Sequence, residues 1–143
     1  MNTVVLDANV AAKWFLPQHG EKLAAEALEL FRKYAQGDLR FMVPDLFWAE
    51  LANVFCKAVR LGRLTQASAD IALASVTERE LMTVPSLELL DSAFQIAAAF
   101  DRTVHDSLYV ALAIQSKTQL ITADERLANS LAAHLPVKWL GAI

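Results

Sequence analysis

The amino-acid sequence predicts an α/β sandwich with a mainly parallel central sheet of four to five short strands. Three observations predict it. Short apolar runs rich in β-branched residues alternate with longer segments of helical period. The glycines, Gly20, Gly37, Gly62 and Gly141, fall between those segments, as breaks between elements should. The 143 residues carry no repeat, low-complexity stretch or Pro/Gly/Ser linker. They are therefore expected to form one domain, 1–143, burying roughly 68 to 70% of the surface of the unfolded chain.

Taken in order, "TVVLD" reads as a short buried strand and "ANVAAKWF" as a short helix closed by Pro17. "EKLAAEALELFRKYAQG" is an amphipathic helix ending at Gly37. "RFMV" is a second strand. "PDLFWAELANVFCKAVRLG" is a helix opened by Pro44 and stopped by Gly62, with Phe47, Leu51, Val54, Phe55 and Ala58 as its apolar stripe. The helix "TQASADIALASVTERE", a third strand "LMTVP", and the helices "LELLDSAFQIAAAF" and "DSLYVALAIQS" follow. A fourth strand "QLIT", the helix "DERLANSLAAH" and a final strand "VKWL" complete the chain.

The composition excludes several classes. Although 55% of residues are hydrophobic, the longest uninterrupted apolar run is the seven residues of "LYVALAI". That is far short of the ~20 that span a bilayer, so the chain is expected to be soluble and not to engage a membrane. The surplus of apolar residues predicts a subunit interface, and with it a homodimer. The start "MNTVVLDANVAAKW" has no basic leader and carries Asp7 where a signal peptide would be apolar, so no such peptide is expected. Cys56 is the one cysteine; among the apolar neighbours of "ANVFCKAV" it reads as an inert, buried or half-buried thiol, and the cytoplasm is the expected compartment. Thirteen Lys plus Arg against sixteen Asp plus Glu give a formal charge of −3. Nucleic acid could not be held by charge alone; a local basic patch or a bound cation would be needed.

The acids carry the functional signal. Asp7 ends the first strand, Asp124 follows the strand "LIT" in the same sense, and Asp106 begins the apolar helix "SLYVALAI". In an open parallel sheet ligands bind at the carboxyl ends of strands, so these three can converge. Each alone could be a helix cap, and Thr103 with Asp106 and Thr122 with Glu125 fit the capping-box spacing. Glu50 is harder to read as a cap: it lies in the second turn of its helix, about 60° from the centre of the apolar stripe. It is either a snorkelling edge residue or a fourth carboxylate aimed at the same pocket. Carboxylates gathered without partners repel one another and raise one another's pKa, so such a cluster usually holds a cation. Hard oxygen donors select Mg²⁺ or Mn²⁺. His19, His105 and His134 show no ligand spacing, which disfavours zinc.

The segments "VVLDANV", "PDLFWAELANVFCKAVRLGRL", "HDSLYVALA" and "LITADERL", in this order and over nearly the whole chain, resemble the PIN-domain ribonucleases, and among them the VapC-like toxins of bacterial toxin–antitoxin pairs. The resemblance implies a three-layer α/β/α sandwich and an Mg²⁺- or Mn²⁺-dependent endoribonuclease that is usually dimeric and neutralised by a small antitoxin. Carried over position by position, the family's acidic quartet falls on Asp7, Glu50, Asp106 and Asp124, as catalytic residues and metal ligands, with Asn9 and Thr122 at supporting polar positions. One divalent ion would move the formal charge from −3 to −1, and two would move it to +1.

RNA would be gripped by basic side chains near the acids. Lys57, Arg60 and Arg63 lie along and beyond the helix bearing Glu50, and Lys13 and Lys117 are further candidates; for each, taken alone, a solvated surface residue is the more ordinary reading, because thirteen basic residues must go somewhere. A haloacid-dehalogenase-type phosphatase would need a second Asp where the chain has Asn9, and a phospho-receiver needs an acid pair that "LDAN" does not supply. The remaining alternative is a catalytically inert PIN-like binding or scaffold module.

Overall fold

The computed structural model describes residues 2–143, and the chain folds as β1 (Asn2–Leu6), α1 (Ala8–Lys13), α2 (Ala24–Ala35), β2 (Leu39–Pro44), α3 (Leu46–Arg60), α4 (Gln66–Thr77), β3 (Met82–Val84), α5 (Ser86–Phe100), α6 (Val104–Gln115), β4 (Leu120–Thr122), α7 (Glu125–Leu131) and β5 (Val137–Trp139), then a short 3-10 turn. Every strand pairing is parallel, in the order β3-β2-β1-β4-β5. The register sets Val4 opposite Phe41 and Leu6 opposite Ile121. This is the predicted α/β sandwich, with the sheet at the upper end of the expected four to five strands.

The apolar pattern explains the layers. Trp14, at the end of α1, packs on Phe31 of α2 and Phe41 of β2, and Tyr34 stacks on Phe41 at 5.1 Å between ring centroids. The Trp14 indole N–H finds its partner in the carbonyl of Ala27 at 2.8 Å. Seven consecutive residues of α6, Ser107–Ala113, are buried, because this helix packs on β1, β2 and β4 and is covered in turn by α5. On α3 the expected stripe is buried at Phe47, Leu51, Phe55 and Ala58, with Val54 half-buried.

Two local expectations fail. Cys56 is exposed: one residue turns a helix by about 100°, which carries it from the buried Phe55 to the solvent side beside Lys57. Pro44 closes β2 instead of opening α3: it pairs with Val84 of β3, whose carbonyl takes the N–H of the next residue, Asp45, at 2.9 Å.

The strand order places the site. From β1 the chain crosses to β2 on one side; from β4 it crosses to β5 on the other. The β1/β4 boundary is therefore a topological switch point, where the loops leaving the two carboxyl ends part and open a crevice.

Candidate active site

At this crevice Asp7 directly follows β1 and Asp124 comes one residue beyond the end of β4, after Ala123, and each also starts a helix. Asp7 accepts from the N–H of Asn9 at 3.4 Å as the N-cap of α1, and Asp124 accepts from that of Leu127 at 3.1 Å as the N-cap of α7. Asp106 is not a cap. The N-cap of α6 is Thr103, whose hydroxyl takes the Asp106 N–H at 3.0 Å and leaves the Asp106 carboxylate for other work. Glu50 reaches in from α3. The four acids line a single pocket of about 170 Å³, together with Ala8, Asn9, Val54 and Tyr109. A larger cleft of about 710 Å³ opens among Asn2, Thr3 and Lys117 and is lined by no acid.

Asn9 and Thr122, expected as supporting residues, tie the two strand ends together. The Thr122 hydroxyl donates to Asp7 Oδ2 at 2.9 Å and accepts from the Asp124 N–H at 3.1 Å and from Asn9 Nδ2 at 3.5 Å. Asn9 Oδ1 accepts from the Ala123 N–H at 3.1 Å. Tyr109 is the residue that sequence reasoning missed: its hydroxyl donates to Glu50 Oε1 at 2.6 Å. A signal existed, because Tyr109 lies three residues after Asp106 on one helix and so shares its face. Arg102 was also missed; its Nη2 stands 3.5 Å from Asp106 Oδ2, and its Nε is buried without a partner.

Burial pushes the Asp7 carboxyl up to about 7 from an ordinary 3.8; hydrogen bonds from Thr122 and Asn9 oppose the rise, and the charges of Glu50 and Asp106 add to it. The Tyr109 hydroxyl is likewise pushed far up, first by burial and then by the negative charges of Asp7 and Glu50, so it keeps the proton that it donates to Glu50. Among the described residues no Lys or Arg forms an ion pair with Asp7, Glu50 or Asp124. Nor do any three His, Cys, Asp or Glu side chains approach closely enough to hold a metal as they stand. Each acid is turned to its own partner: Asp7 to Thr122, Glu50 to Tyr109, Asp106 to Arg102, and Asp124 to the start of α7. An all-oxygen donor set in which like charges and burial penalise the ionised Asp7 suits a hard divalent cation, whose charge would offset both.

The basic candidates divide. Lys13 and Arg63 line a cleft next to the acids, and Lys57 lines its continuation. Arg60 is exposed at the end of α3. Lys117 is misplaced by the sequence reading. It precedes β4, so it stands at the sheet's amino edge with Asn2 and Thr3, opposite the acids.

The PIN domain family matches residues 4–130. Ribonuclease VapC3 of Pyrobaculum aerophilum is 30% identical over 132 residues, spanning 91% of this chain and 95% of that protein. Among solved structures, PAE2754 of the same organism superposes with a TM-score of 0.70 at 21% identity, covering 98% of this chain and 90% of the other. A toxin–antitoxin complex from Klebsiella pneumoniae superposes at 0.60 with 16% identity, covering 94% and 95%.

Proposed function

We propose, starting from the fact that this chain belongs to the PIN-domain family, that it is a metal-dependent endoribonuclease acting as the toxin of a bacterial toxin–antitoxin pair. The observation that carries the reading is the pocket at the sheet's switch point, lined by four carboxylates of which three lack any cationic partner. Asp7, Glu50, Asp106 and Asp124 would hold Mg²⁺ or Mn²⁺. When bound, the ion lowers the pKa of a coordinated water and neutralises charge on the scissile phosphate.

The chain's own residues set the stage for that chemistry. Thr122 and Asn9 fix Asp7 against the Asp124 loop, Tyr109 aims Glu50, and Arg102 steadies Asp106 at the pocket's edge. Residues lining the pocket include no Ser, Cys or His that could form a nucleophile–base pair. Cleavage of single-stranded or loop RNA should therefore require Mg²⁺ or Mn²⁺, and undiminished cleavage in excess EDTA would overturn the reading. An inert scaffold predicts no Mn²⁺ binding at micromolar to millimolar levels, so a calorimetric metal titration separates the alternatives.

The acidic pocket also suits an Arg or Lys from an antitoxin, and the fold is shared with a solved toxin–antitoxin complex. The partner copy of a homodimer would cover α5. Leu87, Leu90 and Phe94, at spacing i, i+3, i+7, are 81%, 45% and 60% exposed, while Leu89 and Ala93 face the core. Light scattering at tens of micromolar should give a dimer mass, and Phe94→Glu should give a monomer; a monomeric parent would refute this arrangement.

A further inference from the structure

Beside the acidic pocket lies a cleft of about 430 Å³ that shares Asn9, Val54 and Asp124 with it and whose charged lining is completed by Lys13, Glu21 and Arg63. Three separate segments meet there. Lys13 comes from the last turn of α1, Glu21 from the loop before α2, and Arg63 from the corner between α3 and α4. Glu21 joins the two cations: Lys13 Nζ donates to Oε2 at 2.9 Å and Arg63 Nη2 donates to Oε1 at 3.0 Å. Lys13 gives a second bond to the carbonyl of Lys22 at 2.7 Å. Burial alone would raise the Glu21 carboxyl, but hydrogen bonds and charge from Lys13 and Arg63 hold it below the ordinary range, so the triad carries a net charge of +1.

The corner is built to aim Arg63. Gly62 adopts a left-handed φ of +73°, Gly62 N–H bonds the carbonyl of Val59 at 3.0 Å and Arg63 N–H that of Ala58 at 2.8 Å, which is the Schellman ending of a helix. The side chains of Lys13 and Glu21 are each only 11% exposed, whereas that of Arg63 is 41% exposed. Of the bonds described, Glu21 takes a single Arg63 nitrogen, which leaves the other guanidinium donors for a ligand. Lys57 lies further along the same wall.

A lone surface ion pair would carry no such meaning. Here a cationic array with spare donors borders the candidate metal site in a protein whose formal charge is −3. Resting on the ribonuclease reading above, we propose that Lys13 and Arg63, bridged by Glu21, form a subsite for the RNA phosphate next to the one that is cleaved. Glu21 is a positioning residue: it neutralises part of the charge and fixes both cations to one spot on the groove wall.

Steady-state cleavage of a fluorogenic single-stranded RNA with Mn²⁺, measured across a salt series, tests the proposal. Arg63→Gln should raise KM about 5- to 10-fold, leave kcat within about twofold, and flatten the dependence of log KM on log salt by about 0.7, the value for one phosphate on a single strand. Replacing the neighbouring phosphate of the substrate with an uncharged methylphosphonate should raise KM similarly for the parent and add little for Arg63→Gln. Glu21→Gln should raise KM less, and Lys117→Gln, on the far edge of the sheet, should change neither constant. Because Arg63 is well exposed, its substitution leaves the fold intact, as a melting curve will verify. If the parent cleaves and Arg63→Gln matches it in KM and salt slope, the subsite is refuted and the ribonuclease reading stands. If that variant instead loses only affinity for an acidic peptide, the cleft is a protein dock and the proposal is equally refuted. A parent that cleaves no RNA with either metal overturns the ribonuclease reading itself.

Discussion

Replacing Asp7 by Asn should stabilise the metal-free protein, by an amount that grows as the pH rises from about 4 to about 7. The carboxyl is pushed from 3.8 up to about 7 in the fold. That difference of roughly 1000-fold in acidity, at about 1.4 kcal/mol per tenfold, means that ionised Asp7 costs the folded state about 4 kcal/mol at pH 8. The sign follows from proton binding. Between pH 3.8 and about 7 the folded protein holds a proton that the unfolded chain has released. Stability is therefore intact at pH 4, falls as pH rises through this window, and levels off above it. The amide oxygen of Asp7→Asn can still accept the Thr122 hydroxyl, and the amide nitrogen then gives up only the long 3.4 Å bond from the Asn9 N–H, so the charge is removed at the cost of that one cap bond. Guanidinium unfolding in chelator at pH 5, 6, 7 and 8 follows the effect, because groups remote from Asp7 cancel between the two proteins. The variant should be more stable by about 2 to 4 kcal/mol at pH 8, the lower figure allowing for water that enters at the pocket mouth, and the gain should shrink steadily toward pH 5. Saturating Mn²⁺ should reverse the order in favour of the parent. A difference of the same size at pH 5 and pH 8 would refute the burial argument, as would a less stable variant at pH 8.

Asp106→Asn should cost the metal-free protein no more than about 1 kcal/mol, because Thr103 already caps α6 and the partly exposed contact with Arg102 is 3.5 Å long. The same change should abolish most of the thermal shift on adding Mn²⁺ and slow cleavage at least roughly 100-fold, about 2.7 kcal/mol of transition-state stabilisation; cleavage within a few-fold of the parent would mark a structural acid. Tyr109→Phe removes the donor to Glu50 and should weaken Mn²⁺ several-fold in a calorimetric titration while leaving the KM for RNA in place, and an unchanged titration would show that the 2.6 Å bond only fills space. The apparent Kd for Mn²⁺ should rise about tenfold for each pH unit below 7, as the ion must displace the Asp7 proton, and a flat profile would take Asp7 out of the ligand set.

Much of the site was legible because its acids break strong local patterns. A carboxylate directly after "TVVL" or one residue after "LIT" stands at the open end of a buried strand, and Glu50 interrupts an apolar stripe. Tyr109 was overlooked for the opposite reason: within "LYVALAI" an aromatic reads as core, and its shared face with Asp106 gains meaning only when the folded chain brings its hydroxyl to a side chain 59 residues away. Glu21 lies in a loop with no period, and its partner Arg63 is 42 residues distant. The strand order was equally hidden, since β3, β4 and β5 have three residues each and a run so short says nothing about its neighbours. Lys117 was misjudged because distance along the chain from Asp124 conceals that a strand lies between them, with one residue at each end.

The Thr122 hydroxyl has a single hydrogen, and its direction can be counted. Its oxygen receives the Asp124 N–H and the Asn9 amide, which fills both lone pairs, so its own hydrogen goes to Asp7 Oδ2. Asp7 Oδ1, on its other side, takes the Asn9 N–H. Of the hydrogen bonds described, none offers an acceptor to a proton carried by Asp7 itself. On the metal-dependent reading, a cation entering the pocket that Asp7 shares with Glu50 and Asp106 would displace that proton, and none of the bonds holding the two strand ends together would have to break.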